Sequence, residues 1–464
     1  MKKAVVIGAG PAGLAAADTL AAAGVDTVVL EKDVCAGGLS RTVTYKGYRF
    51  DIGGHRFYTK NDAVMSWWQG LLAHDFRKVK RRSRIYYKNG FFVYPLTISS
   101  IFSRIGLAAS LSIFFSYIHC RIFKLADESV YEQWLINRFG RKLYEIFFKD
   151  YTHKVWGLLP ARLSSDVGKR RIKGLSLYEA VRNACSRGRG NSTATLIREF
   201  YYPRLGAGMV YDAAVRRIQQ KNGEILFGHE VVSIRHDGAK IISVVCKDAR
   251  TGRISDVAGT DFCSSMPLTQ LVSLMDPAAP KPVLDACRRL RYRSIVIVNC
   301  IISKPSIFPD NWIYINSPDV IVARIQNFKN WSPDMVPDSG TTPLAMEYFC
   351  DEADMFWSLS DSALLDLAAR ELAALKLCAR ADVADGCVVR QAKAYPVYEK
   401  GYGAQLDIVR EYVKKFTELH CIGRYGTFCY DNMDHSVMSG FLAARKVLGC
   451  APGDVPTAAE ALDD

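Results

Sequence analysis

The first thirteen residues constrain the fold of this chain more than any other segment. Val5–Ile7 is an apolar run that leads into a GxGxxG turn with glycines at positions 8, 10 and 13. Only glycine lets the backbone turn tightly there, approach a pyrophosphate and pack the next helix on the strand. A second predicted strand, 27–30, ends at Glu31, about 20 residues further on, where a carboxylate suits ribose hydroxyls. The predicted dinucleotide contacts are Gly8, Gly10, Pro11, Ala12, Gly13, Glu31 and Lys32.

Two further glycine pairs favour FAD over NAD as the dinucleotide. Gly37-Gly38 precedes Arg41, and Gly53-Gly54 precedes His55. These loops can bring backbone amides and a cation close to the same cofactor, and they resemble those of the flavin amine oxidase superfamily. The resemblance implies that His55 lies beside the isoalloxazine, although the residue type by itself fits a structural histidine equally well. The implied cofactor contacts are Gly38, Leu39, Ser40, Gly54 and His55.

The composition of the chain limits its number of subdomains, its cellular compartment and its classes of partner. The 464 residues include 49% hydrophobic side chains, which is enough for a globular chain of two or three subdomains. The 13 cysteines form no CxxC pair or metal-like cluster, and no cleavable signal peptide precedes the first strand, so a reducing cytoplasm is expected and no metal. The net charge of +14 comes without a nucleic-acid motif, which leaves phosphorylated small molecules or an anionic membrane surface as partners.

Three unusual segments lie outside the dinucleotide unit. The basic runs 77–84 and 169–173 are expected to be solvated faces. The uncharged stretch 105–119 is too short for a transmembrane helix, so a buried or cap helix is expected there. Peripheral membrane contact through this helix and the first basic run is the alternative.

Periodicity predicts an α/β fold with a Rossmann-like FAD-binding domain, a helical insertion and an antiparallel-sheet substrate domain. Strand signals at 224–227, 231–235 and 241–245 follow a predicted helix that ends near Gln220. The predicted FAD-binding domain is discontinuous and combines 1–60, 199–265 and 400–450. A helical substrate or cap domain occupies 61–198, an antiparallel-sheet domain 266–399, and a flexible tail 451–464.

Two longer segments narrow the resemblance to UDP-galactopyranose mutases. Residues 142–157 contain a tyrosine-threonine pair followed by tryptophan-glycine, and residues 421–434 resemble the C-terminal flavin segment of those enzymes. Arg324-Ile325 and Glu347-Tyr348 resemble their substrate-site segments. The resemblance implies a catalytic set of His55, Arg324, Tyr348 and Tyr430. It implies flavin contacts from Arg424, Asn432 and Met433, and substrate contacts from Tyr151, Thr152, Trp156, Arg324, Tyr348 and Tyr430.

Some positions depart from the mutase pattern. Phe57-Tyr58-Thr59 stands where the family has Phe-His-Thr, and Leu175 aligns with an arginine that clamps the diphosphate. Arg170, Arg171 and Lys173 are nearby cations that can substitute for it. Segments 201–204 and 393–398 are closer to protoporphyrinogen-oxidase-like proteins. The chain therefore resembles a divergent branch between the two groups.

The resemblance implies a pyranose–furanose mutase that acts on a nucleotide-diphosphate sugar, in glycoconjugate biosynthesis. N5 of the reduced flavin would attack the anomeric carbon with no net redox change, so an external reductant is implied, with NADPH and a flavin reductase as open alternatives. The rival hypotheses are an oxidoreductase of the amine oxidase, protoporphyrinogen oxidase or desaturase type, and a flavin-binding protein without catalysis. The sequence names neither the sugar nor the nucleotide, and it leaves the oligomeric state undetermined.

Overall fold

A computed structural model describes residues 2–94, 106–171 and 197–450 of the chain. The predicted tail 451–464, Leu175 and the first residue of the apolar stretch, Ile105, lie outside the described residues. The strands of the described residues are β1 Lys3–Ile7, β2 Asp26–Glu31, β3 Thr42–Tyr45, β4 Tyr48–Asp51, β5 Phe76–Lys80, β6 Ser83–Tyr87, β7 Gly90–Val93, β8 Glu199–Pro203, β9 Glu224–Phe227, β10 His229–His236, β11 Ile241–Asp248, β12 Ile254–Ala258, β13 Asp261–Ser264, β14 Met275–Asp276, β15 Tyr292–Ile302, β16 Trp312–Ile315, β17 Arg324–Asn327, β18 Thr342–Cys350, β19 Val383–Pro396 and β20 Leu419–Cys421.

The α-helices of the same residues connect these strands or cover the sheets. They are α1 Pro11–Ala22, α2 Asp62–Leu72, α3 Leu107–Ile122, α4 Tyr131–Phe139, α5 Arg141–Tyr144, α6 Asp150–Trp156, α7 Asp166–Arg171, α8 Gly208–Gln220, α9 Leu268–Ser273, α10 Lys281–Arg289, α11 Met355–Ser358, α12 Asp361–Ala374, α13 Tyr402–Val413, α14 Gly423–Gly426 and α15 Met433–Leu448. A π-helical turn, Glu145–Lys149, joins α5 to α6.

The predicted β-α-β unit is confirmed and lies at the centre of a parallel sheet. Its five strands have the order β20-β13-β1-β2-β9, and every neighbouring pair is parallel. Gly8 has a φ of +98°, and a Cβ on Gly13 would lie 1.9 Å from the Gly8 carbonyl oxygen. Only glycine allows this turn, which brings α1 down onto β1. The sheet collects strands from three separated parts of the chain, whereas the domain limits remain a prediction.

The C-terminal helix α15 packs directly on α1. A Cβ on Gly440 would lie 2.2 Å from the Ala12 carbonyl oxygen, so the two helix backbones are in contact there. The helix begins at Met433, and Asn432 occupies the N-cap position in extended conformation without a side-chain capping bond.

A second sheet of seven strands has the order β19-β15-β18-β17-β16-β6-β7. It is mixed, because β16 pairs in parallel with β6. The prediction that 61–198 is helical is therefore wrong for 76–93, where β6 and β7 form a hairpin. Lys88 and Asn89 close it with left-handed φ values of 45° and 61°, as a two-residue hairpin turn requires. The prediction of a solvated basic run also fails at Arg84, which donates to the buried carboxylate of Asp310.

The helices α3 to α6 form a layer that carries the tyrosine-threonine motif. The predicted buried or cap helix in the apolar stretch is observed as α3, but only part of it is buried. Ile113 and Cys120 are buried, while Phe114, Phe115 and Ile122 are exposed. None of the helices in the described residues is both long and apolar enough to cross a bilayer.

Candidate functional site

The glycine turn leaves open space beside Gly10. Gly10 has an ordinary φ of −79°, and a Cβ on it would meet no described atom within 4 Å. The surrounding protein therefore has no steric need for glycine at this position, in contrast to Gly13. The N-terminus of α1 begins at the next residue, Pro11, where the helix dipole favours an anion. Because protein packing does not require glycine at position 10, a pyrophosphate bound close to the backbone would explain its presence.

Glu31 supports the turn from the end of β2. Its Oε2 accepts from the Ala9 N–H at 2.6 Å, and its Oε1 accepts from the Asp33 N–H at 2.8 Å. Burial raises the pKa of this carboxyl, although the two backbone bonds oppose that effect. Each carboxylate oxygen has further lone pairs, so ribose hydroxyls can bind there as well. The side chain of the neighbouring Lys32 is exposed.

The second glycine turn packs directly on the first. The Gly37 N–H donates to the Ala9 carbonyl at 2.8 Å, and a Cβ on Gly38 would lie 3.4 Å from the Gly10 Cα. Arg41 Nη1 donates to the Gly38 carbonyl at 2.8 Å, which holds the loop closed. Two glycine-rich segments thus meet where the sequence predicts the pyrophosphate. The residues of both turns fit FAD.

His55 is held as a neutral imidazole. One ring nitrogen, Nε2, lies 2.8 Å from the Ile52 carbonyl, which can only accept, so Nε2 carries the proton. Nδ1 lies 3.5 Å from Ser40 Oγ. Burial lowers the pKa of His55 to about 4, and the cations of Arg424 and Arg324 add to this effect, while the Ile52 bond opposes it. At neutral pH His55 can accept a hydrogen bond at Nδ1 but holds no positive charge.

The loop that contains Gly53-Gly54 lies against the second sheet at Gly53. A Cβ built on it would lie 3.6 Å from Glu347 Oε1 and 3.9 Å from both Arg324 Nη2 and His55 Nε2. Arg324 on β17 pairs in register with Glu347 on β18, and its Nε and Nη2 both donate to Glu347 Oε2. The structure therefore brings the predicted residues His55 and Arg324 together. The sequence analysis assigned no role to Glu347 and named it only as the neighbour of Tyr348.

Arg424 and two tyrosines form a second part of the site. The rings of Tyr395 and Tyr430 are stacked, with centroids 5.4 Å apart, and the Arg424 guanidinium lies 5.1 and 5.0 Å from those centroids. Arg424 donates to the carbonyls of Asp431 and Ala394. Unlike Arg324, Arg424 has no carboxylate within ion-pair distance among the described residues, although the Asp431 carboxyl interacts with it electrostatically. The buried Trp156 contacts the Tyr430 ring edge-on at 6.0 Å.

The structure places Tyr348 away from the other predicted substrate contacts. Tyr348 is fully buried, and its hydroxyl donates to Glu371 Oε2 at 2.9 Å. Because side chains alternate along a strand, Glu347 takes the face toward Arg324 and Tyr348 takes the opposite face. Thr152 is a buried residue of α6. Its neighbour Tyr151 is half-buried and contacts the Tyr314 ring at 5.9 Å.

The tyrosine that the sequence reasoning missed is Tyr395. Burial alone would lower the pKa of Arg324, but the Glu347 carboxylate raises it above its usual value. Electrostatic interactions with Tyr395, Tyr151 and Tyr314 act in the same direction as Glu347. Tyr395 lies in the segment 393–398, which the sequence analysis compared only with protoporphyrinogen-oxidase-like proteins.

The structure places two of the predicted flavin contacts differently. Met433 is buried against the Tyr211 hydroxyl, and Asn432 is exposed.

A further cationic group adjoins Arg324. Arg56 and Arg81 lie 5.4 and 5.6 Å from the centroid of the same indole, that of Trp312. Among the described residues the Arg56 side chain has no hydrogen bond or ion pair, only this ring contact. Burial lowers the pKa of Arg56, and nearby Arg81 and Arg324 add to that effect. The electrostatic interaction of Arg56 with Arg81 and Arg324 favours an anion beside Arg56.

The adjoining glycine turns, the acid at the end of β2 and the fold together define a dinucleotide-binding flavoprotein. Residues 11–448 match the family described as flavin containing amine oxidoreductase, and the chain belongs to that family. Its cofactor is FAD, as the two glycine turns indicate.

Solved structures of this fold have different activities. The chain is similar over its full length to a reduced UDP-galactopyranose mutase, with a TM-score of 0.83, 22% identity and 99% of that chain covered. It is also similar to cyclohexylamine oxidase from Brevibacterium oxydans IH-35A, with a TM-score of 0.65, 15% identity, and 97% and 99% of the two chains covered. At these identities the likeness establishes the fold.

Curated relatives match over a short segment. A 1-hydroxycarotenoid 3,4-desaturase from Flavobacterium sp. (strain P99-3) is 49% identical over 57 residues, which is 12% of each chain. An inactive all-trans-retinol 13,14-reductase from Danio rerio is 53% identical over 49 residues, 11% of this chain and 8% of the relative. The chain therefore matches only a small part of these relatives' length, and they do not assign its activity.

Proposed function

We propose that this chain is an FAD-dependent mutase that interconverts the pyranose and furanose forms of a nucleotide-diphosphate sugar. The observation that carries the proposal is the cationic and aromatic lining beside the loop that contains Gly53-Gly54 and His55. Arg424 and Arg56 have no carboxylate partner among the described residues, and both lie against aromatic rings. A diphosphate needs fixed cations, and a sugar suits tyrosine faces and hydroxyls. An amine or a polyene would gain nothing from these cations.

The arginines would bind and orient the substrate. Arg424 is fixed by two carbonyls and two rings, so its charge is placed before the substrate arrives. Preorganised cations of this kind stabilise the negative charge that develops on a departing diphosphate. Arg324 is different, because Glu347 compensates its charge. It keeps Nη1 without a hydrogen bond among the described residues and can donate from there.

The tyrosines and His55 would act on the sugar side. Tyr395 and Tyr430 form a flat stacked surface beside Arg424, and Tyr151 offers a half-buried hydroxyl near Arg324. Neutral His55 has Nδ1 as a hydrogen-bond acceptor and a pKa too low to carry a proton at neutral pH. Its role would therefore be to position a group rather than to supply a proton. Reduced FAD, when bound, supplies a nucleophilic nitrogen for such a rearrangement.

The test is turnover under anaerobic conditions. The purified FAD-containing protein is reduced with dithionite and mixed with UDP-galactopyranose or TDP-galactopyranose, and chromatography detects the furanose form. A furanose peak that requires the reduced protein supports the proposal and defines the nucleotide. Arg424→Gln should abolish the peak, while Arg235→Gln, a change in an exposed ion pair with Asp256, should leave it unchanged.

The oxidoreductase hypothesis predicts a different result in the same experiment. If no nucleotide sugar yields a furanose peak or perturbs the flavin spectrum, the mutase proposal is wrong. Oxygen-coupled turnover of an amine, a porphyrinogen or a polyene would then place the chain with the oxidising members of its family.

A further inference from the structure

Helix α3 presents an apolar stripe to the outside of the molecule. Its exposed large side chains recur at intervals of three and four residues, so they lie on one face of the helix and continue onto the residue that follows it. These side chains are Leu111, Phe114, Phe115, Ile118, Ile122 and Phe123. We call this set the α3 stripe.

The opposite face of α3 is attached firmly to the protein. Ile113 and Cys120 are buried on that side. The Lys142 N–H at the start of α5 donates to Ser116 Oγ at 3.1 Å, and a Cβ on Gly140 would lie 2.9 Å from Tyr117 Cα. The stripe is therefore the outer face of a packed helix, and burying it would need no rearrangement of the helical layer.

The charge around the stripe is positive. The helix contains no acidic residue, and Arg121, Lys124 and Arg141 are exposed near it with no ion pair among the described residues. The acids that follow the helix are compensated, because Asp127 pairs with Lys400 and Glu128 pairs with Arg138. A phenylalanine-rich apolar face with cationic flanks is typical of a helix that lies in the interface of an anionic membrane.

We propose that the α3 stripe docks on the surface of an anionic phospholipid bilayer. The helix would lie parallel to the membrane plane, since the described residues contain no spanning helix. Because α3 packs in the helical layer that carries Tyr151 and Trp156, docking would hold the candidate site close to the lipid surface. This proposal does not depend on which reaction the site catalyses.

A second copy of the chain fits the stripe less well. Six side chains of this size, partly exposed, present on the order of 600 Å², given about 150–250 Å² for a large side chain. A stable protein interface buries roughly 800 Å² on each partner. Two copies facing each other through this helix would also bring the cationic groups Arg121 and Lys124 together.

The test is co-sedimentation of the full-length FAD-containing protein with vesicles of phosphatidylcholine, with or without phosphatidylglycerol. The stripe variant Phe115→Asp/Ile122→Asp changes side chains that are 63% and 68% exposed, so the fold should be retained. The matched control, Ile242→Asp/Ile254→Asp, changes side chains that are 53% and 65% exposed on strands β11 and β12. The flavin spectrum checks the fold of each variant.

The wild-type chain and the control should bind anionic vesicles, and binding should weaken as salt is raised. The stripe variant should bind at least tenfold more weakly. The charge variant Arg121→Gln/Lys124→Gln should lose affinity for anionic vesicles only. The proposal is overturned if the wild-type chain stays in the supernatant with both vesicle types, or if the stripe variant binds as well as the wild type. A wild-type dimer that becomes monomeric in the stripe variant, without vesicle binding, would assign the stripe to a second copy.

Discussion

Arg324 donates two hydrogen bonds, from Nε at 2.8 Å and Nη2 at 2.6 Å, to the same oxygen of Glu347. Glu347 is fully buried, and its other carboxylate oxygen accepts from Gln326 Nε2 at 2.9 Å. The pair forms because the two residues lie directly opposite each other on β17 and β18. Arg324 therefore stabilises the fold through this ion pair and is also a candidate substrate contact. A variant of Arg324 can change both the free energy of unfolding and substrate binding.

Removing Arg324 should destabilise the protein as well as the site. Arg324→Ala leaves the Glu347 carboxylate buried without its cation, which costs about 3 kcal/mol in the free energy of unfolding. Urea unfolding of the wild type and the variant measures this loss. The double variant Arg324→Gln/Glu347→Gln removes both charges and should recover a large part of it. Equal losses in the single and double variants would contradict the charge-pair explanation.

Two glycines of the first turn should respond in opposite ways to alanine. Gly10→Ala meets no described atom within 4 Å and has a permitted φ, so the thermal stability of the FAD-free protein should be unchanged or slightly higher. FAD binding should fall by at least tenfold, because the new methyl group occupies the space of the pyrophosphate. Gly13→Ala places Cβ 1.9 Å from a carbonyl oxygen and should lower stability directly. Calorimetry and flavin titration separate the two, and full FAD occupancy in Gly10→Ala would refute this placement of the cofactor.

Arg56 should contribute to substrate binding without holding the flavin. If its guanidinium binds a phosphate, Arg56→Ala weakens nucleotide-sugar binding by roughly 1.5–3 kcal/mol, the range for a hydrogen bond to a charged group. The flavin content should stay the same, and Arg56→Lys should restore part of the affinity. Titration of the FAD-bound protein followed by flavin absorbance measures the dissociation constant. An unchanged constant in Arg56→Ala would exclude it from the anion site.

Asp51 predicts a pH dependence of stability. Burial raises the pKa of this carboxyl from 3.8 to about 7, although hydroxyl donors from Thr42 and Tyr202 and the Ala207 N–H favour the ionised form. Between these values the folded state keeps a proton that the unfolded chain has lost. The contribution to stability is therefore fully present below pH 4 and falls as pH rises toward 7, by up to about 1.4 kcal/mol per pH unit.

Urea unfolding at several values between pH 5 and pH 8 tests this sign. Asp51→Asn cannot titrate, so its stability should change less with pH than that of the wild type. Asp256→Asn, at an exposed carboxylate paired with Arg235, is the control and should follow the wild type. A wild-type stability that rises with pH relative to Asp51→Asn across this window would show that Asp51 is ionised in the folded state.

Local patterns were sufficient for the dinucleotide unit and for many single elements. The strand Glu224–Phe227 and the end of helix α8 at Gln220 were predicted at their observed limits, because turn residues and periodicity act over a few residues. The stretch 76–93 was included in a region predicted to be helical, because the segments on both sides of it have a helical pattern. It becomes a hairpin joined to β16, a pairing with a strand more than 200 residues later in the chain.

The candidate site shows the same division. His55, Arg324, Arg424 and Tyr430 were found from motifs, but Tyr348 was preferred to Tyr395. Nothing in the dipeptide Glu347-Tyr348 shows which side chain faces the site, since neighbours on a strand point to opposite faces. That choice depends on the pairing of β18 with β17.

The amino-acid sequence by itself determined the glycine turn, the acid that follows it, the flavoprotein fold and the family. These depend on backbone conformations that only certain residues permit, and a short segment specifies them. The tertiary structure decided which charges are compensated and which remain available. Arg324 forms an ion pair with Glu347, whereas Arg424 and Arg56 have no carboxylate within ion-pair distance among the described residues. The ion pairs of a site depend on contacts between strands and loops that are far apart in the chain.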